Sequence, residues 1–144
     1  MNGFSDLKLC AAQINPTVGN LATNFAMITD IWTAHDQDCD LIVFPELSLT
    51  GYNPEDLLQN VGFLAEVADT IQKLVTFSAK MKSAILIGTP YSESTRLYNA
   101  ALLLEGGKIM GSVYKHDLPN YGVFDECRYF TAGKLPNIIS FRGI

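Results

Sequence analysis

Three features of the sequence predict an α/β domain with a mixed sheet. Leu41-Ile42-Val43-Phe44 and Ala84-Ile85-Leu86-Ile87-Gly88 are apolar runs of buried-strand length, Leu21, Phe25, Ile28 and Trp32 recur at helical spacing, and Glu105-Gly106-Gly107 joins two further apolar runs. A strand, a helix and a second strand within 44 residues make the minimal βαβ unit of a parallel pair, whereas a Gly-Gly turn joins antiparallel neighbours. The sheet is therefore expected to be parallel first and antiparallel later.

Taken in order, Leu7 to Ile14 reads as the first strand and ends in Asn15-Pro16-Thr17-Val18-Gly19-Asn20, a loop punctuated by Pro and Gly. Asn20 is a suitable N-cap for the helix carrying the Leu21 stripe, which the polar Asp36-Gln37-Asp38 stretch stops. Leu41–Phe44 is the second strand. Pro54 opens a short helical turn, and Leu64, Val67, Ile71 and Leu74 form an amphipathic stripe that predicts a helix from Gly62 to Lys82. Ala84–Gly88 is the third strand; Leu97–Leu104 and Lys108–Tyr114 make the hairpin. Ile138–Phe141 is a last short apolar run, with Arg142-Gly143 opening a turn. No repeat or linker divides residues 1–144.

The 144 residues are 48% hydrophobic and 17% charged, as expected for one globular domain. Formal charge is −5 with scattered basic residues, so neither nucleic acid nor an anionic membrane surface is an expected partner. No apolar run approaches the ~20 residues that span a bilayer. Met1 to Asp6 carries no basic patch ahead of an apolar stretch, and three unpatterned cysteines, Cys10, Cys39 and Cys127, fit a reducing compartment. A soluble, cytoplasmic chain is expected, without metal.

Two polar stretches follow directly on strands. Pro45-Glu46-Leu47-Ser48-Leu49-Thr50-Gly51-Tyr52 leaves the second strand, and Tyr114-Lys115 followed by Leu118-Pro119-Asn120-Tyr121-Gly122-Val123-Phe124-Asp125-Glu126 leaves the last. Open α/β sheets build their sites at the carboxyl edge. A fixed Glu46 moves a proton and a fixed Lys115 holds developing negative charge, two of the three parts needed to cleave an amide. Taken singly, Glu46 would cap a helix or face solvent and Lys115 would be a solvated loop residue.

Together these segments resemble the nitrilase superfamily of carbon-nitrogen hydrolases, and within it the glutaminase domains of glutamine-dependent NAD synthetases. Phe44-Pro45-Glu46-Leu47 with Thr50-Gly51-Tyr52 is similar to the superfamily's glutamate segment; Leu118-Pro119-Asn120-Tyr121 with Phe124-Asp125-Glu126-Cys127-Arg128-Tyr129-Phe130 is similar to the lysine segment of the synthetase branch. The resemblance implies that Glu46 and Lys115 act with a cysteine, that Glu126 is a secondary member of the site, and that Tyr121 contacts bound glutamine. It implies a homo-oligomer and a second, ATP-using synthetase domain with magnesium, no part of which is found in these residues. Tyr129 and Phe130 read as packing aromatics, and His35 and His116 as surface residues.

None of the three cysteines sits where the resemblance places the nucleophile, on a strand end after the lysine segment. Cys10 lies among Leu9, Ala11 and Ala12 as a small hydrophobe, and Asp38 and Asp40 disfavour a thiolate at Cys39. Cys127 is the one rival, with Arg128 beside it, but it occupies the variable position of its motif and is flanked by Glu126. The family's α-β-β-α sandwich needs about twice this length. The residues are therefore expected to form the first half of such a sandwich, a truncated and inactive N-terminal part of a glutaminase domain whose cysteine lies beyond Ile144. Another nitrilase-branch amidase and a non-catalytic half-sandwich interaction module remain alternatives.

Overall fold

The computed structural model describes residues 6–135 and 138–144, so the first five residues, read above as lacking a basic leader, and Pro136-Asn137 lie outside the described residues. Five strands, β1 (Leu9–Ala11), β2 (Leu41–Val43), β3 (Ala84–Glu93), β4 (Arg96–Glu105) and β5 (Lys108–Tyr114), form one sheet in the order β1-β2-β3-β4-β5. β1, β2 and β3 pair in parallel; β3, β4 and β5 pair antiparallel, as the pattern of turns predicts.

Two helices, α1 (Leu21–His35) and α2 (Val61–Ser78), supply the crossovers β1-α1-β2 and β2-α2-β3. Asn20 caps α1 by accepting the Thr23 amide at 3.1 Å, and Asn60 caps α2 through the Phe63 amide at 3.1 Å. Both helices bury their apolar stripes on one face of the sheet. Trp32, Ile28 and Leu74 meet Ile42, Ile85, Ile87, Leu102 and Leu104 there, all fully buried, each contributing on the order of 1.5–3 kcal/mol through burial.

α2 ends at Ser78, four residues before the expected Lys82. Ser78 Oγ donates to the Val75 carbonyl at 2.6 Å and accepts the Gly107 amide at 2.8 Å, which ties the helix end to the β4–β5 turn. Asp36, read only as a helix stop, anchors the next segment. Its carboxylate accepts the Lys82 and Ser83 amides at 2.9 and 2.8 Å and the Ser83 hydroxyl at 2.8 Å, aiming the chain into β3.

Two strand boundaries depart from expectation. β1 is shorter than Leu7–Ile14 because it lies at the sheet edge, with β2 as its one partner among the described residues, and its Leu9 is 61% exposed. β3 runs five residues past Gly88, since Thr89 to Glu93 pair with Arg96 to Ala100 despite Pro90 and the polar Ser92 and Glu93. Pro90 lacks an N–H, so the neighbouring ladder carries that stretch.

The sheet face away from the helices has a thinner cover. Phe141 and Ile139 pack there against Ala84 and Leu103, so the Ile138–Phe141 run lies across the face without forming a strand, and Phe141 and Ile144 close a turn through reciprocal 3.0 Å backbone hydrogen bonds.

Candidate active site

Glu46 lies in the tight turn that follows β2. The Phe44 amide still bonds Leu86 on β3 at 2.9 Å, and the Leu49 amide returns to the Gly88 carbonyl at 3.3 Å, so residues 45–48 arch over Gly88. Only glycine fits beneath: a Cβ on Gly88 would fall 2.7 Å from Glu46 Cα and 2.6 Å from Leu47 N. Leu47, at φ 49°, turns its fully buried side chain away from Glu46 into a small cluster with Leu58 and Phe130.

Lys115 is the first residue beyond β5. A stack of Tyr91, Tyr114 and Tyr98, with centroids 6.2 and 4.2 Å from Tyr114, fixes the strand end, each pair adding roughly 0.5–1.5 kcal/mol. The Lys115 amide donates to the Asn99 carbonyl on β4 at 2.8 Å. Beyond it the chain loops out through Tyr121 and returns by a 3-10 turn over Glu126–Arg128. Phe130, 5% exposed, pins that return to Leu47 and Leu58, so the glutamate turn and the lysine loop share one packing unit.

These three supports bring distant residues together. Lys115 Nζ donates to Glu46 Oε1 at 2.8 Å and to Glu126 Oε1 at 3.0 Å. Glu126 is 3% exposed, and its Oε2 has no hydrogen-bond partner among the described residues. The Glu46 side chain is 46% exposed, so its ion pair with Lys115 contributes only about 0–1 kcal/mol to stability. The arrangement serves placement more than stability.

Burial opposes the charge on Lys115, but its hydrogen bonds to Glu46 and Glu126 outweigh that cost and hold its pKa above the ordinary lysine value. Burial likewise pushes the Tyr52 hydroxyl pKa up, aided by the charges of Glu126 and Glu46 and opposed by Lys115. Glu46, Lys115 and Asn99 rim a cavity of about 370 Å³ whose remaining lining is mostly apolar, including Phe44, Leu86, Ala101 and Val113.

The chain matches the carbon-nitrogen hydrolase family model over residues 8–143. It belongs to the carbon-nitrogen hydrolase family. Among similar proteins, the glutamine-dependent NAD(+) synthetase of Aquifex aeolicus is 39% identical over 137 residues, covering 95% of this chain and 24% of that one. The solved glutamine-dependent NAD+ synthetase of Acinetobacter baumannii, in complex with ADP, superposes with TM-score 0.81 at 37% identity over 95% of this chain and 26% of that one. An amidase from Nesterenkonia sp. shares the fold, with TM-score 0.81 at 22% identity over 94% of this chain and 51% of that one. The chain thus spans about a quarter of the length of the synthetases it matches.

Within this carbon-nitrogen hydrolase chain the three acidic and basic residues expected from sequence, Glu46, Lys115 and Glu126, meet. Tyr121 does not join them: it is 71% exposed, set edge-on to Phe124 at 5.8 Å, and outside the cavity lining. The cysteines lie elsewhere. Cys10 and Cys39 pack partly buried against the main core, and burial, then Cys10, then Asp38 and Asp40 push the Cys39 thiol pKa up, so the flanking carboxylates do disfavour the thiolate, behind two larger causes. Cys127 is exposed, its Sγ 3.8 Å from the Leu118 carbonyl. Among the described residues no cysteine lines the cavity.

His35 and His116 lie at the surface as expected. Tyr129 donates from its hydroxyl to Asp56 at 2.7 Å, which makes it a tie between loops. Sequence reading missed Asn99. Asn99 stood inside an apolar run, where an amide in a strand was the available signal. No helix among the described residues is long and apolar enough to cross a membrane, and no described cluster of His, Cys, Asp and Glu suits a metal.

Proposed function

We propose that these residues are the N-terminal part of a glutaminase domain that releases ammonia from glutamine for NAD synthesis from deamido-NAD by a second, ATP- and magnesium-dependent domain. The observation that carries this reading is the Lys115 ammonium, bonded at 2.8 and 3.0 Å to two carboxylates at the rim of the cavity. The similarity to glutamine-dependent NAD(+) synthetases supports the choice of glutamine.

In the proposed reaction Glu46 takes the proton of a cysteine thiol supplied by the rest of the domain. The sulfur attacks the side-chain amide carbon of glutamine, and Lys115 stabilises the tetrahedral oxyanion. The C–N bond breaks as Glu46 returns the proton to the departing ammonia, leaving a γ-glutamyl thioester. Water, deprotonated by Glu46, then attacks the thioester; the C–S bond breaks, glutamate leaves and the thiol is regenerated. Glu126 holds Lys115 from its buried side, and Tyr121 contacts the glutamine once the domain is complete. The intact protein is proposed to act in the cytoplasm as a homo-oligomer.

The test uses the complete protein. Glu46→Gln and Lys115→Ala should each lower glutamine-dependent NAD synthesis by at least 100-fold, the scale of a lost acid-base or oxyanion group, while synthesis from free ammonia is kept. Loss of both activities together would instead assign the residues to folding. Cleavage of aliphatic amides in preference to glutamine would favour an amidase. The isolated 144-residue chain should release no glutamate from glutamine.

A further inference from the structure

We infer that Asn99 is a positioning residue for the Glu46 carboxylate: its amide holds one oxygen of Glu46 and reserves the other for proton transfer. The inference rests on the reading of Glu46 as the base and deepens it.

Asn99 Nδ2 donates to Glu46 Oε1 at 2.6 Å, shorter than the 2.8 Å bond from Lys115 to the same oxygen. Among the described residues no hydrogen bond reaches Oε2. Two donors, one on β4 and one just past the end of β5, therefore converge on one carboxylate oxygen. A carboxylate held at one oxygen by two donors has lost its rotational freedom, while its second oxygen keeps its capacity to accept a proton.

The other buried asparagine shows how a structural role looks. Asn24, 1% exposed, bonds only backbone: it donates to the Thr17 and Leu49 carbonyls at 2.9 and 3.0 Å and accepts the Thr17 amide at 2.9 Å. Asn99, 4% exposed, directs its amide at a half-exposed carboxylate 53 residues away. Its location also suits the task. It sits in the middle of β4, opposite Pro90 on β3, and its carbonyl accepts the Lys115 amide at 2.8 Å. One residue on a rigid strand thus touches both groups, the base through its side chain and the lysine through its backbone.

Glu46 needs such a brace because its own turn supplies none to its side chain. The turn is set by Gly88 beneath it and by Leu47, and both act on the main chain. Without Asn99 the half-exposed side chain would rest on the flexible Lys115 alone, and misplacement by about 1 Å can cost on the order of 100-fold in rate.

The experiment uses Asn99→Asp, which keeps shape but replaces the donor by an acceptor, and Asn99→Leu, which removes all polarity, in the complete protein. Glu46→Gln is run beside them. The expected result is a fall in kcat of the glutaminase step of at least tenfold in both Asn99 variants, KM for glutamine within threefold, and ammonia-dependent synthesis unchanged. A kcat within twofold of the parent in Asn99→Asp overturns the inference, as does a parallel loss of glutamine- and ammonia-dependent rates in that variant, which would assign Asn99 to the fold. If Glu46→Gln retains glutaminase activity, the reading of Glu46 as base fails; if it abolishes activity while the Asn99 variants do not alter kcat, only the role of Asn99 fails.

Discussion

Gly88 on β3 lies directly beneath Glu46, and their backbones touch where any larger residue would hold them apart. A methyl group on Gly88 would contact the Pro45 carbonyl and the Glu46 Cα together, and neither can swing aside as a flexible side chain would. The glutamate turn is seated by the absence of an atom.

Gly88→Ala should therefore lift residues 45–47 away from the sheet. The expected stability loss is about 1–3 kcal/mol, the usual cost of overpacking a filled site. Glutamine-dependent activity of the complete protein should fall at least tenfold, because Glu46 moves relative to Lys115 and Asn99. Thermal melting and steady-state kinetics on the same variant check both outcomes, and unchanged activity would contradict the seating role.

The Lys115 pKa is raised, so the sign of its linkage follows directly. Its favourable interactions are fully present below the unfolded lysine pKa of about 10.4 and are lost as pH rises through the higher folded value. At neutral pH the ammonium stays charged and cannot act as a base. Mildly alkaline conditions should then leave the Lys115 contribution to stability and oxyanion binding intact, with loss confined to pH above ~10. Urea melts of the parent and of Lys115→Met between pH 7 and 11 check this: the difference between them should stay constant until that range and then shrink.

Legibility divided along physical lines. The Asn20 cap, the Gly106-Gly107 turn and the two apolar stripes depend on neighbours within a few positions, so local patterns revealed them. Glu46 and Lys115 were legible because strand ends advertise the edge of a sheet. The extension of β3 through Pro90 was not, since its strand character is conferred by pairing with β4 against the local pattern. Asn99 hid for a related reason: its partner is 53 residues distant, and its surroundings are apolar. The Ile138–Phe141 run was seen as apolar, but what it covers depended on where Ala84 and Leu103 lie.

Asp36 was hidden by its type, as a carboxylate after a helix ordinarily faces solvent. Burial raises its pKa, but four hydrogen bonds, from Ser83 amide and hydroxyl, Lys82 amide and Gln37, outweigh that and bring it below the ordinary aspartate value. Its stabilising contribution is present above the unfolded pKa of about 3.9 and is lost as pH falls through the lower folded value. Asp36→Ala orphans the Ser83 donors and should cost about 2–3 kcal/mol. Denaturant titrations at pH 7 should show that difference, and it should diminish below pH ~4; a variant as stable as the parent at pH 7 would refute the anchor.

The antiparallel arm from β3 to β5 is contiguous in sequence, whereas Glu46 reaches Lys115 across 69 residues and Asn99 across 53. Local hairpins close early and long-range parallel pairs late, because loop closure must precede the contacts that reward it. Loop-closure entropy therefore predicts that Asn99 and Lys115 come together with the β4–β5 hairpin before β2 docks and delivers Glu46. On that order the carboxylate–ammonium contact is among the last to form, and a chain short of that step would hold its lysine ready before the acid arrives.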